Sequence, residues 1–182
     1  MVRMDPDLEK RIREQLDRDE IWRVMQRYGR GIDRLDFELA RSCYWDDCIE
    51  DHGAFVGFPD EFVKWAHSCC TPRVSTQHAV LNHYCDLQGD DAYCETYYIY
   101  TDKGEQPPHL MSTGRYVDHF QKRNGEWRIA NRVCIIEAQY ALDDFPMPPG
   151  MPPHYTEEEP SQATRDRNDV SYHRPLVPRQ PK

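Results

Sequence analysis

Apolar positions in the first part of the chain recur at helical spacing. Leu8, Ile12 and Leu16, then Ile21, Val24, Met25 and Tyr28, keep roughly helical spacing, and charged residues fill the other face. Asp5 followed by Pro6 marks the helix start. Gly29 and Gly31 in "GRGID" are expected to break the helix. Asp36 can cap a second short helix, "FELARSCYW", and "DDCIEDHGAF" reads as a first strand with a Gly turn. A third helix is predicted over "PDEFVKWAHSCC", with Phe62, Val63, Ala66 and Cys69 facing inward. Beyond it the period changes. "VSTQHAVLNHYCDL", "AYCETYYIYT", "LMSTGRYVDHFQK" and "EWRIANRVCIIEAQY" are rich in β-branched and aromatic residues and read as strands. "QGDD" and "RNGE" are hairpin turns, Asn124-Gly125 being the stronger signal, and "DKGEQPPH" is a longer loop.

Helices followed by a run of antiparallel strands give an α+β domain. A strongly curved antiparallel sheet wrapped around the long N-terminal helix makes a cone-shaped barrel, with an apolar pocket between sheet and helices. This domain is assigned to residues 1–140. Residues 141–182 hold nine of the 14 prolines and many charges, a composition that cannot build its own core. This Pro-rich C-terminal extension is expected to dock on its own or a neighbouring subunit.

Composition narrows the function. At 182 residues the chain is one domain with an appendage, and a net charge of −9 argues against nucleic acid. No run approaches the roughly 20 apolar residues of a membrane span, and the polar N-terminus is no secretory signal. The seven cysteines include no C-x-x-C pair, so buried thiols in a reducing cytoplasm are expected rather than a disulfide scaffold or zinc knuckle. No Gly-rich phosphate loop follows a strand, no G-x-S-x-G is present, and no cysteine has a clear base partner. Neither a cofactor nor a metal is expected.

"STQHAVLNH" carries two histidines whose parity differs. By strict alternation His78, Val80, Asn82 and Tyr84 share one face, while Ala79, Leu81, His83 and Cys85 share the other. If His78 faces the pocket, Asn82 does too, and His83 is structural. The same parity opposes a metal site built from His78 and His83 unless the strand is bulged. Tyr28 and Tyr44 can donate hydrogen bonds to substrate oxygens, and His52 in "EDHGAF" is a candidate second acid. A buried Arg132 would favour an oxyanion, halide or phenolate. Glu95 and Arg115 suit an internal structural ion pair. Phe58, Phe62 and Trp65 read as core rather than pocket wall.

The segments "RYGRGIDRLDFE", "YWDDCIEDHGAFVG", "TQHAVLNH", "GDDAYCETY" and "GRYVDHFQKRNGEWRIANR", in this order, resemble the SnoaL-like branch of the nuclear-transport-factor-like superfamily. They also resemble scytalone dehydratase and the hexachlorocyclohexane dehydrochlorinases. The resemblance implies an Asp at the end of helix one paired with a His at the start of a central strand, positions matched by Asp33 and His78. It places Arg132 where the dehydrochlorinases carry a pocket arginine, and His52 near the pocket tyrosine of scytalone dehydratase. A His–Asp pair is a general base with an orienting carboxylate.

The expected function is a cofactor-independent lyase of the cytoplasm, active in aromatic compound catabolism. Its His78–Asp33 base would eliminate water, halide or formaldehyde from a small aromatic substrate, for example a lignin-derived diaryl compound. Asp33 and His78 are the catalytic candidates; Tyr28, Tyr44, His52, Asn82 and Arg132 are the substrate-binding ones. The alternatives are a polyketide cyclase, a ketosteroid-type isomerase, or a non-catalytic ligand-binding or assembly domain. A homo-oligomer, trimer or dimer, is expected.

Overall fold

The computed structural model describes residues 5–150, 156, 161 and 163–179. The first helix, α1, spans Pro6–Asp33; the Asp5 side chain caps it by accepting from the Asp7 N–H at 2.9 Å. It runs straight through the two glycines expected to stop it. A Cβ on Gly31 would lie 2.6 Å from the backbone nitrogen of Ala40, so this glycine lets the second helix, α2 (Phe37–Arg41), cross against α1. The missing side chain serves close packing here, not helix termination.

The strand β1 (Tyr44–Asp51) begins two residues before the expected segment and is followed by a short β2 (Val56–Gly57), which the pattern did not disclose. The third helix, α3, spans Pro59–Cys70. Pro59, Phe62, Ala66 and Cys70 are its buried residues, Val63 is half-buried, and Cys69, expected to face inward, is exposed. Four long strands follow: β3 (Ser75–Gln88), β4 (Asp91–Lys103), β5 (His109–Arg123) and β6 (Glu126–Leu142). At the β5–β6 turn Asn124 and Gly125 adopt φ of 54° and 81°, left-handed values that suit a two-residue hairpin.

The strands make one curved, unclosed sheet in the order β2-β1-β6-β5-β4-β3. All pairings are antiparallel except β1 with β6, which run parallel. The α+β cone is thus the architecture of the chain. Ile21, Val24, Met25 and Tyr28 of α1 are buried with Phe62 of α3 and with Tyr98, Tyr116, Phe120, Trp127 and Ile129 of the sheet. No described helix is long and apolar enough to cross a membrane.

The described part of the C-terminal segment lies on the same chain. A short 3-10 helix, Val170–Tyr172, packs near the C-terminus of α1: Arg30 stacks over the Tyr172 ring at 4.4 Å, and Tyr172 donates to Asp36 at 3.3 Å. Asp36 also pairs with Arg167 at 3.0 Å.

Candidate active site

Asp33 is the last residue of α1, and His78 lies near the start of β3. Two contacts bring them together. Asp33 Oδ1 is 2.7 Å from His78 Nδ1, and Asp33 Oδ2 accepts the His78 backbone N–H at 2.8 Å. Thr76 adds a third, donating to Asp33 Oδ1 at 3.2 Å. The carboxylate fixes Nδ1 as the protonated ring nitrogen, which leaves Nε2 as the basic one. His78 lines a cavity of about 300 Å³.

Aromatic rings form part of the cavity wall, beside the Arg73 and Asp102 side chains. Tyr28, Phe62, Trp65, Tyr98, Tyr100 and Tyr116 contribute to its wall. Phe62 is a core residue, as the pattern expected, and Trp65 packs against the core; both also line the cavity, whereas Phe58 is exposed. Tyr28 contacts the His78 ring edge-on at 6.0 Å, and Tyr100 lies 4.7 Å from it. Burial pushes the Tyr28 phenol well above its ordinary value, so it stays a neutral donor.

His52 also lines this cavity. Its Nδ1 is 2.7 Å from Oε1 of Glu50, a carboxylate fully shielded from solvent. Burial alone would lower the His52 value. Cys134 and Glu50 beside it outweigh burial and raise it from 6.5 to about 9. His52 is therefore a cation at neutral pH, held by a carboxylate that lies behind it. The sequence reading missed Glu50. Its position two residues before His52 on β1 is the signal that was available.

Three of the expected substrate contacts lie elsewhere. Arg132 is fully buried and does not line the cavity. Its Nε and Nη2 donate to Asp118 at 2.6 and 2.9 Å, Nη1 donates to the Tyr44 hydroxyl at 3.2 Å, and its plane stacks on Tyr28 and Tyr116 at 4.4 and 4.3 Å. Burial opposes the guanidinium charge, but Asp118 overcomes this and raises Arg132 well above its ordinary value. The guanidinium is thus paired with Asp118 and stacked on two tyrosines of the cavity wall. Tyr44 is equally buried, behind the pocket wall. Asn82 is exposed, because β3 carries a bulge between Val80 and His83: Val80 pairs with Tyr98, but His83 pairs with Thr96. The extra residue exchanges the faces beyond it, so His83 faces α1, with its ring 5.2 Å from that of Trp22. Glu95 and Arg115 do pair, at 2.6 Å, and Arg115 also binds Glu137 at 2.7 Å.

One contributor comes from the C-terminal segment. Arg165 donates to the carbonyl oxygens of Asp33 (3.3 Å), Cys70 (2.7 Å) and Arg73 (2.8 Å), and to Thr76 Oγ1 at 2.9 Å. Helix C-termini leave carbonyls unsatisfied and carry partial negative charge, so one guanidinium caps α1 and α3 together. Through Thr76 it reaches the carboxylate that holds His78.

A comparison with curated proteins finds no match. Among solved structures, a putative scytalone dehydratase from Novosphingobium aromaticivorans is 19% identical, with a TM-score of 0.65, covering 77% of this chain and 97% of that one. A type 2 hexachlorocyclohexane dehydrochlorinase is 16% identical with a TM-score of 0.65, covering 76% and 97%. The type 3 enzyme of Novosphingobium barchaimii is 13% identical with a TM-score of 0.65, covering 75% and 97%. At these identities the likeness establishes the fold. The family profile of the SnoaL-like domain matches residues 13–133, two thirds of the chain with both histidines of the cavity inside it, and the protein belongs to that family.

Proposed function

We propose that this protein is a cofactor-independent lyase acting on a small aromatic substrate, with His78 as general base and His52 as general acid. The observation that carries the proposal is the 2.7 Å contact between His78 and Asp33 at the partly aromatic wall of a cavity of about 300 Å³. His78 Nε2 takes a proton from substrate carbon, the C–H electron pair becomes the new double bond, and the leaving group departs with its own pair. Asp33 stabilises the imidazolium that forms. His52, protonated at neutral pH and held at Nδ1 by Glu50, supplies a proton to departing hydroxide, giving water, or steadies a departing halide. For loss of formaldehyde, the same base would take the hydroxymethyl O–H proton; the O–H pair becomes the C=O of formaldehyde, and the C–C pair becomes the new double bond as hydroxide leaves the adjacent carbon with its own pair and takes a proton from His52. The tyrosines supply flat apolar walls and hydroxyl donors to substrate oxygens.

The names of the structural neighbours support elimination chemistry, since they describe a dehydratase and dehydrochlorinases. The open cavity favours a bound small molecule over a purely assembling domain. The test is a screen of hydroxylated, halogenated and hydroxymethylated aromatic compounds with purified full-length protein and no added cofactor, followed by ultraviolet absorbance. A new conjugated chromophore that His78→Ala fails to produce supports the lyase. Isomerised or cyclised product with no released group would assign the same base to an isomerase or cyclase, and tight binding without turnover would make the cavity a ligand site.

A further inference from the structure

The bulge in β3 that displaces Asn82 builds something else under α1. Beyond it His83 and Cys85, two residues apart, face inward together. On β4, Thr96 lies directly opposite His83, and Cys94 directly opposite Cys85. A ring nitrogen of His83 and the two cysteine sulfurs all lie within 4.8 Å of one another. None of the three lines the cavity that holds His78.

His83 is the informative member. Its Nδ1 is 2.8 Å from Thr96 Oγ1, while Nε2 is buried with no hydrogen-bond partner. A buried polar atom left unpartnered is costly, and such atoms in folded proteins call for a specific explanation. A hydroxyl holding one imidazole nitrogen while the other is free is the arrangement that orients a metal-ligating histidine. Cys94 is buried and Cys85 half-buried, both as free thiols. Arg18 of α1 donates to the Cys85 carbonyl.

We propose that His83, Cys85 and Cys94 form a binding site for a thiophilic cation, zinc above all, separate from the candidate active site. Two thiolates and one imidazole are the borderline-soft donors that zinc selects, and the two thiolates balance its charge. Zinc bonds of about 2.3 Å to sulfur and 2.0–2.1 Å to nitrogen put donors about 3.5–3.8 Å apart, so a cluster within 4.8 Å closes with small side-chain adjustments. The fourth position belongs to water. A cross-strand disulfide between Cys85 and Cys94 would leave the His83 nitrogen unexplained. The role implied is to tie β3 to β4 beneath the first half of α1.

The test uses full-length protein, reduced and freed of metal. Cobalt(II) should bind at one equivalent, giving thiolate-to-cobalt charge-transfer absorption and the visible bands of a tetrahedral site, and zinc should displace it. Zinc should also raise the melting temperature. Cys85→Ser should abolish the charge-transfer band or reduce it to that of one thiolate, with binding at least tenfold weaker. Cys69→Ser, on α3, should change nothing. Thr96→Val, which keeps the shape but frees Nδ1, should weaken binding about 10–100-fold. Absence of thiolate-to-cobalt absorption in the wild type overturns the site. So does an undiminished band in Cys85→Ser, or isolation of a Cys85–Cys94 disulfide whose reduction yields no cobalt binding.

Discussion

The Asp33 carboxylate grips His78 twice, with Oδ1 2.7 Å from the ring Nδ1 and Oδ2 2.8 Å from the backbone nitrogen. The residue is thus fixed in both strand position and ring orientation by the final residue of another element. His78→Ala should lower turnover by about a hundredfold to ten-thousandfold, the usual contribution of a general base. Asp33→Asn keeps the shape but not the charge and should be severe too. The double variant should be little worse than His78→Ala alone, because each residue acts through the other. Steady-state kinetics on the four proteins measures this, and additive losses would contradict a coupled dyad.

The pH profile should report His52. Its value rises from 6.5 to about 9 on folding, so the proton stays on through neutrality and is released as pH passes about 9. Because the folded value is the higher one, the stabilisation from the Glu50 contact is full below about 6.5 and lost as pH rises through about 9. An acid catalyst behaves the same way, so turnover should fall on the alkaline side near 9. His52→Gln should remove that limb and lower the rate at neutral pH.

Arg165 is a positioning residue, separated from the chemistry by Thr76 and Asp33. Replacing it by Ala removes its four hydrogen bonds to Asp33, Cys70, Arg73 and Thr76. Given the usual worth of charged hydrogen bonds at a partly exposed site, the loss should be about 1–3 kcal/mol in denaturant titration. Turnover should fall more than substrate binding weakens, and Arg165→Lys should restore part of the stability. An unchanged kcat would assign the contact to stability alone.

The Arg132–Asp118 pair should behave as a support, not a substrate contact. Breaking one side of a buried pair leaves an uncompensated charge and costs about 3–5 kcal/mol. Asp118→Asn and Arg132→Met should each show a loss of that order in chemical denaturation. The pair replaced together by apolar residues should recover much of it. If Arg132 instead meets substrate anions, conservative Arg132→Lys would keep stability and change substrate preference.

Chelation should separate the two proposals. His78, His52 and the tyrosines of the elimination scheme line the cavity, whereas His83, Cys85 and Cys94 lie outside its wall. Dialysis against a chelator should lower the melting temperature and leave lyase turnover at the original assay temperature intact. Loss of activity restored by zinc would place a metal in the chemistry.

Much of the fold was legible because local structure follows side-chain period. Helical spacing from Leu8 to Tyr28, the Asp5 cap, α3 and the four long strands all follow from neighbours along the chain. So does the Asn124-Gly125 turn. Resemblance added the pairing of Asp33 with His78, which period alone does not contain. What the sequence left open depends on registers and approaches between distant segments. Counting back from the Asn124-Gly125 turn without interruption pairs Arg132 with Val117. An irregularity between His119 and Phe120 moves it to Asp118, with which Arg132 forms its buried ion pair. The bulge after Val80 likewise turns Asn82 outward and His83 inward, because side chains alternate faces and one extra residue exchanges them. Gly31 looked like a helix stop and proved to be a close crossing with Ala40. Arg165 reaches Thr76 across 89 positions of sequence. Period and caps act within a few residues, so the sequence determined the elements; contacts over such separations exist only once the sheet has curved and the helices have packed on it, and the tertiary structure decided them.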